Sequence, residues 1–501
     1  MGGLPPLFYG QSCIEELSAT MNFLDRSLFK VTQTAQSLVH RSTDRHVRLA
    51  VTGLSGAGKT AFISGLVNQL LHAGKGNRHN ALPLWQVARE GRLIGVQRAM
   101  QPDLDIASFD YQGSMTALNS SPPHWPASTR TITELRLAIK YQPQQGILAK
   151  LTDTATLYVD IVDYPGEWLL DLPMLKHDFT HWCLSQQQNV ACLSYSPYYD
   201  EFAQAVNQLD LAAVADEQQL KCIADLYQNV LVDLVRKQGF YHAQPGRMLL
   251  PGEYENTPLL AFFPLLSVSP LTHSALATSP KDSNYHVLKR RYEEYVSQVV
   301  KPFYRDYFSR FDRQLVLVDC LNALNHGQAQ FNDMGRALNQ IMESFQFGQS
   351  SLLRRLFSPR IDKVLFAASQ VDRVTRDQQS HVLNLLNAML QQSQHYANFE
   401  GSDVETMAIS AIKATQHGMV KTDNGQQQEV VKGTGLDGKP ITVYPGDVPT
   451  VLPDATFWQQ QGFNFNAFLP PNISQLNEAH PTFEHIRLDH LLEFLLGDKL
   501  T

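Results

Sequence analysis

Gly53-Leu54-Ser55-Gly56-Ala57-Gly58-Lys59-Thr60 is the stretch from which the rest of the chain can be read. It fits Gly-x4-Gly-Lys-[Ser/Thr], and its flanks fit as well. The apolar run His46-Val47-Arg48-Leu49-Ala50-Val51-Thr52 before it predicts a strand, and the periodic run from Ala61 to Leu71 after it predicts a helix. Strand, glycine loop and helix in that order form a cradle for phosphate groups. The glycines let successive backbone N–H groups curl inward where a Cβ would clash. The helix N-terminus adds roughly half a positive charge. Lys59 would reach the β- and γ-phosphates of a nucleoside triphosphate, and Thr60 would ligate Mg²⁺. The plainer alternative is a glycine-rich turn capping an ordinary helix, and the flanking pattern argues against it.

Around this motif lies a chain of 501 residues, long for one core, so two or three lobes are expected. A hydrophobic share of 43%, a charged share of 18% and a net charge of −7 describe an ordinary globular protein. They argue against a nucleic-acid binder held by phosphate electrostatics. The five cysteines (Cys13, Cys183, Cys192, Cys222, Cys320) include no C-x-x-C pair, which predicts a reducing compartment with neither disulfide framework nor zinc site. No apolar run reaches spanning length and no signal-peptide pattern opens the chain. A cytoplasmic location is expected, with peripheral membrane contact left open.

Alternating strand and helix patterns predict an α/β fold of the P-loop NTPase kind: a mostly parallel sheet with helices on both faces, plus a large helical insertion domain. The expected parts begin with an N-terminal helical segment, 1–45, holding one amphipathic helix at 12–40. A first nucleotide-binding part, 46–166, carries an irregular insertion at 75–130. A leucine-rich helical insertion follows at 167–310, and a second nucleotide-binding part at 311–501. Thr131–Tyr141 alternates and predicts a half-exposed strand; Leu157–Asp163 predicts a buried one. Further strands are expected at 313–319, 363–369 and 405–410, with helices at 328–345 and 377–394. Glu429–Lys432 and Ile441–Tyr444 flank Gly435-Leu436-Asp437-Gly438 and predict an exposed β-hairpin within 428–446. A helix near 484–497 closes the chain.

Asp163-Tyr164-Pro165-Gly166 follows the buried strand and fits Asp-x-x-Gly. Asp163 could hold Mg²⁺ through a water, while the Gly166 N–H senses the γ-phosphate and moves when it leaves. Asp160 competes for the metal role, but by strand parity it lies on the opposite face and lacks a glycine at the right offset. Its alternative is a buried polar residue satisfied by neighbours. Glu167 stands where many small GTPases carry glutamine; it either orients the attacking water or points outward. In Trp125-Pro126-Ala127-Ser128-Thr129-Arg130-Thr131, Thr129 is the first choice and Thr131 the second for a threonine closing on Mg²⁺. Arg130 would either steady transition-state charge or be a surface arginine. Base choice is expected at Ser369-Gln370-Val371-Asp372, where GTPases carry Asn-Lys-x-Asp. Asp372 would accept two hydrogen bonds that guanine offers and adenine does not. Gln370 departs from the lysine whose stem covers the base, and Ser369 from the asparagine that ties this loop to the phosphate loop. Ala411 and Ile412, in Ser410-Ala411-Ile412-Lys413, would bring backbone groups to guanine O6.

Together these pieces resemble the YcjX-like family of bacterial P-loop proteins, relatives of the regulatory GTPases. The resemblance rests on residues 53–60, on Trp-Pro-Ala-Ser-Thr-Arg (125–130), on Asp-Tyr-Pro-Gly-Glu-Trp-Leu (163–169), on Leu-Val-Asp-Cys-Leu (317–321) and on the ending at 485–500. It implies GTP and GDP binding with hydrolysis. Ser55, Gly56, Ala57, Gly58, Lys59, Thr60 and Ala61 would sit on the phosphates, and the 369–372 loop at the base. It also implies a stress-response role and an inner-membrane protein partner. Two rival readings stay open: a nucleotide-gated scaffold with negligible turnover, and an ATPase.

Overall fold

β1 (Arg45–Gly53) is buried from Val47 to its end. It is flanked by parallel partners on both sides, β5 (Ala155–Asp163) and β6 (Arg313–Val318). A strand covered on both faces tolerates a continuous apolar run, which is why Val47 to Val51 show so little alternation. The full order is β2 (Leu93–Ala99), β4 (Thr133–Tyr141), β5, β1, β6, β7 (Lys363–Ala368) and β8 (Asp403–Ala408), with β3 (Ala107–Ser108) pairing on β4. β2 and β5 both run antiparallel to β4; the other neighbours along this path are parallel. This computed structural model describes residues 45–74, 82–144, 153–345, 361–399, 402–422, 424–460, 462–471 and 482–501. The helix expected at 12–40 lies outside them.

Helices cover both faces. On one, Leu49, Val51, Leu315 and Leu317 pack against Leu66 and Val67 of the phosphate-loop helix (Lys59–His72) and Leu491 and Leu495 of the C-terminal helix (Leu488–Leu496). On the other, Ala50, Val162, Val316 and Phe366 join Tyr164, Trp168, Phe303 and Phe311 in a core that runs on into the helices between 179 and 306. Helix Glu217–Arg236 shows how local sequence builds that region. Its Asp216 side chain accepts from the Gln219 N–H as an N-cap, and Leu220, Ile223, Tyr227, Leu231 and Leu234 recur on its buried face. Among the described residues, no helix is long and apolar enough to cross a membrane.

Two expectations need correction, and a third, the hairpin, is present and extended by a further strand. The 75–130 stretch is not merely irregular: it supplies β2 at the sheet edge and the helix Tyr111–Leu118, capped by Asp110. β4 is not half exposed. It is buried at most positions, because its polar residues are paired inside the sheet. Glu134 lies near Arg48, and Arg136 donates to Asp160 at 2.6 and 3.0 Å. The hairpin is part of a three-stranded antiparallel sheet, in which β10 (Gln427–Thr434) lies between β9 (Gln416–Lys421) and β11 (Pro440–Val443).

Candidate functional site: a phosphate cradle at the sheet's carboxyl edge

β1 delivers the glycine loop to the carboxyl edge of the sheet, beside the ends of β5 and β6. Gly56 and Gly58 take φ of 80° and 78°, a region L side chains avoid, so the glycines of the motif are required where they stand. Gly58 caps the helix that opens at Lys59. The loop thereby leads directly into the N-terminus of a buried helix, whose first N–H groups lack partners within the helix. Lys59 Nζ donates to the Gly53 carbonyl at 3.4 Å, which holds the ammonium over the loop.

The two candidate threonines separate cleanly. Thr129 Oγ1 lies 3.3 Å from Thr60 Oγ1, whereas Thr131 is exposed to solvent. Asp163 closes the third side. It is buried, and neither carboxylate oxygen has a hydrogen-bond partner. Burial pushes its carboxyl above the usual carboxylate range; Lys59 and Thr129 pull it back and Glu167 adds to the rise. Asp160 has the other fate. Burial alone would raise it, but hydrogen bonds and charge from His46 and Arg136 outweigh that and hold it at about 2. It is a structural ion-pair residue, 2.7 Å from His46 Nε2.

Gly166 lies on the Gly53 carbonyl so closely that a Cβ would overlap its oxygen. The loop is also tied to β1 by Thr52 Oγ1, which donates to the Tyr164 carbonyl at 3.1 Å. Glu167 keeps Oε2 buried with no partner, while Arg130 is exposed. Ser55 and Ala61, at the two ends of the loop, are half-buried.

The 369–372 loop is joined to the phosphate loop after all. Ser369 Oγ donates to the Ala57 carbonyl at 3.0 Å, making the tie for which an asparagine is expected. Gln370 adopts φ 58°, and its Nε2 donates to the Gly56 carbonyl at 3.3 Å and to Asp319 Oδ2 at 3.2 Å. A non-glycine residue there is uncommon and costs about 1 kcal/mol or more unless its surroundings fix it. Asp372 is buried. Its Oδ1 accepts from Ser410 Oγ at 2.7 Å and its Oδ2 from the Ala414 N–H at 2.8 Å. Burial raises this carboxyl, and those two donors oppose the rise. Ala411 and Ile412, buried alongside, complete that corner.

Two residues at this corner escaped the sequence reading. Asp319 caps the helix after β6 by accepting from the Asn322 N–H at 3.0 Å, and its other oxygen receives Gln370 and Arg373. Arg373, 6% exposed, donates to the Phe465 carbonyl at 2.9 Å and the Asn466 carbonyl at 2.8 Å. Trp125 Nε1 reaches the same 465–468 strap, at the Phe468 carbonyl, at 2.8 Å. The only signal for Arg373 was its place one residue after Asp372.

Known proteins match this chain along nearly its whole length. The model of the YcjX-like family, DUF463, matches residues 47–500. A Shewanella oneidensis protein named Ras-like GTPase YcjX is 65% identical over 485 residues, which is 96% of this chain and 100% of that one. An Escherichia coli K12 protein of the same name is 45% identical over 465 residues, 93% of this chain and 98% of that one. The glycine loop at the end of β1 and a match across nearly the whole sequence lead to one statement: the chain belongs to the YcjX-like family.

Proposed function

We propose that the chain binds GTP and GDP and hydrolyses GTP to GDP and phosphate as a conformational switch. One observation carries this reading above the others. Asp163 holds two buried, unpartnered carboxylate oxygens beside Lys59 and Thr129, at the mouth of the phosphate loop. A buried charge in that condition costs several kcal/mol unless something compensates it. The donor set suits Mg²⁺: hydroxyl oxygens from Thr60 and Thr129 and the Asp163 carboxylate through water, with phosphate oxygens and water in the other positions. That ion would neutralise charge gathering on the phosphate oxygens.

The chain's own groups do the rest. Amides from Ser55 to Ala61 and the Lys59 ammonium bind the phosphates. Gly166, with no side chain between it and Gly53, brings its N–H close enough to sense the γ-phosphate. Glu167 orients the attacking water with the oxygen that has no other partner. Asp372, fixed by Ser410 and the Ala414 amide, keeps a lone pair on each oxygen for guanine. Ala411 and Ile412 border the same base. The two relatives are named as GTPases, which supports guanine over adenine.

The exposure of Arg130 favours a second reading, a guanine-nucleotide scaffold with little turnover. Displacement of a fluorescent GTP analogue by guanine against adenine nucleotides, with single-turnover phosphate release on the same sample, separates GTPase, scaffold and ATPase. A cytoplasmic role at the inner membrane, in stress response and through a membrane-protein partner, belongs to the same proposal; its support is the family resemblance alone.

A further inference from the structure

The Asp-x-x-Gly segment is in direct contact with the helical region. Gly166 lies on the Gly53 carbonyl, and the next carbonyl, that of Glu167, lies on Gly246; a Cβ at either glycine would overlap the oxygen it meets. Backbone therefore stacks on backbone from the phosphate loop to the Gln244–Arg247 turn, with no side chain to cushion a shift. The same turn grips the residues that follow. The Gly246 N–H donates to Asp171 Oδ1 at 2.8 Å, and the Tyr295 hydroxyl to Asp171 Oδ2 at 2.6 Å. Gln244 Nε2 donates to the Leu170 carbonyl, and the Tyr227 hydroxyl holds the Gln244 carbonyl at 2.6 Å. The Arg247 guanidinium lies over the Trp168 ring, 3.4 Å from its centroid. Such face contact is attractive and strongest when desolvated, and both side chains are buried.

Packing alone does not call for this arrangement. A buried carboxylate and a buried guanidinium carry a desolvation cost that apolar side chains of like volume avoid. Burial pushes the Asp171 carboxyl up to about 6, against the pull of Tyr295 and Gly246. Tyr295 ends its helix at a wide π-helical turn, Val296–Val300, a distortion that recurs at functional sites.

We infer that the Gln244–Arg247 turn positions Glu167 for hydrolysis, and that Arg247 couples movement of the Gly166–Trp168 segment to the helical region. The inference rests on the GTPase reading above. Movement of Gly166 toward or away from the γ-phosphate tightens or loosens the close contact of the Glu167 carbonyl with Gly246, so the turn follows. Arg247 is thus a positioning residue, acting through Trp168 and the Glu167 backbone.

The test compares native protein with Arg247→Ala, Arg247→Lys and Tyr295→Phe. It reads fluorescent-GDP affinity, single-turnover phosphate release, and the tryptophan fluorescence difference between GDP and a non-hydrolysable GTP analogue. Trp168→Phe assigns that difference. Arg247→Ala is expected to abolish it and slow turnover roughly tenfold, with GDP affinity within about twofold of native. Lysine at 247 restores part of both. Tyr295→Phe, which removes one hydroxyl and keeps the ring, moves both in the same direction by less. The inference is overturned if Arg247→Ala and Tyr295→Phe leave signal and turnover at native values, or lower GDP affinity and turnover by the same factor. A native chain that binds no guanine nucleotide overturns the GTPase reading as well, and the GDP titration shows that separately.

Discussion

The hydroxyls of Thr60 and Thr129 face each other at 3.3 Å, although 69 residues of chain separate them. One stands in the first turn of the phosphate-loop helix and the other on the loop leading to β4, so their approach shows how that loop closes over the cradle. Thr129→Ala is expected to slow single-turnover phosphate release about a hundredfold while GDP affinity changes less than about threefold. The Mg²⁺ concentration needed for half-maximal release should rise in the same variant.

At the corner proposed to read the base, the decisive contact is Ser410 Oγ on Asp372 Oδ1 at 2.7 Å. Ser410→Ala leaves the carboxylate one donor short and free to turn. Guanine-nucleotide affinity should fall about tenfold, while adenine-nucleotide affinity stays as it was. Competition against a fluorescent guanine nucleotide reads both. Equal losses for the two bases would contradict this role.

Arg373 is a matter of stability before it is one of function. It satisfies two carbonyls of the 465–466 strap and lies 3.3 Å from buried Asp319. Arg373→Met leaves that carboxylate and both carbonyls short of a donor. Urea unfolding should show a loss of about 3 to 5 kcal/mol.

Two buried carboxyls in β4 and β5 give opposite slopes of stability with pH. Asp160, held at about 2 and so below its ordinary value, contributes stability that is present above about pH 4 and lost as pH falls toward 2. Asp160→Asn should therefore cost about 2 kcal/mol at pH 7, a deficit that shrinks in acid. Glu134 is the reverse case. Burial pushes it up to about 8 against the pull of Arg48, so its favourable contribution is complete below about pH 4.5 and lost as pH rises through 8. Glu134→Gln should gain on the native protein between pH 5 and 8 in urea titrations.

The course of the glycine loop and the place of Asp163 at the end of β5 were legible because their geometry is a matter of backbone. Glycine spacing and a strand's end fix where amides and one carboxylate fall, whatever packs around them. The departures at Ser369 and Gln370 were legible as departures only. That a serine hydroxyl spans to Ala57 depends on how near two loops come, and residue types do not report a separation of 3.0 Å. Arg373 stayed hidden for a related reason: its acceptors are main-chain carbonyls 92 and 93 residues away. β2 was missed because an edge strand with partly exposed residues and Gly95 at its bulge lacks clean alternation. β4 misled by alternating as expected, while its polar face is turned into an ion network and not into water.

This loop is proposed to hold the phosphates of a guanine nucleotide. Titration calorimetry with GTP and Mg²⁺, on native protein and on Lys59→Ala, decides it. Clear binding heat is expected for the native chain, with an affinity about tenfold to a hundredfold weaker for the alanine variant. No heat from GTP on the native chain, or the same affinity in both proteins, would contradict it.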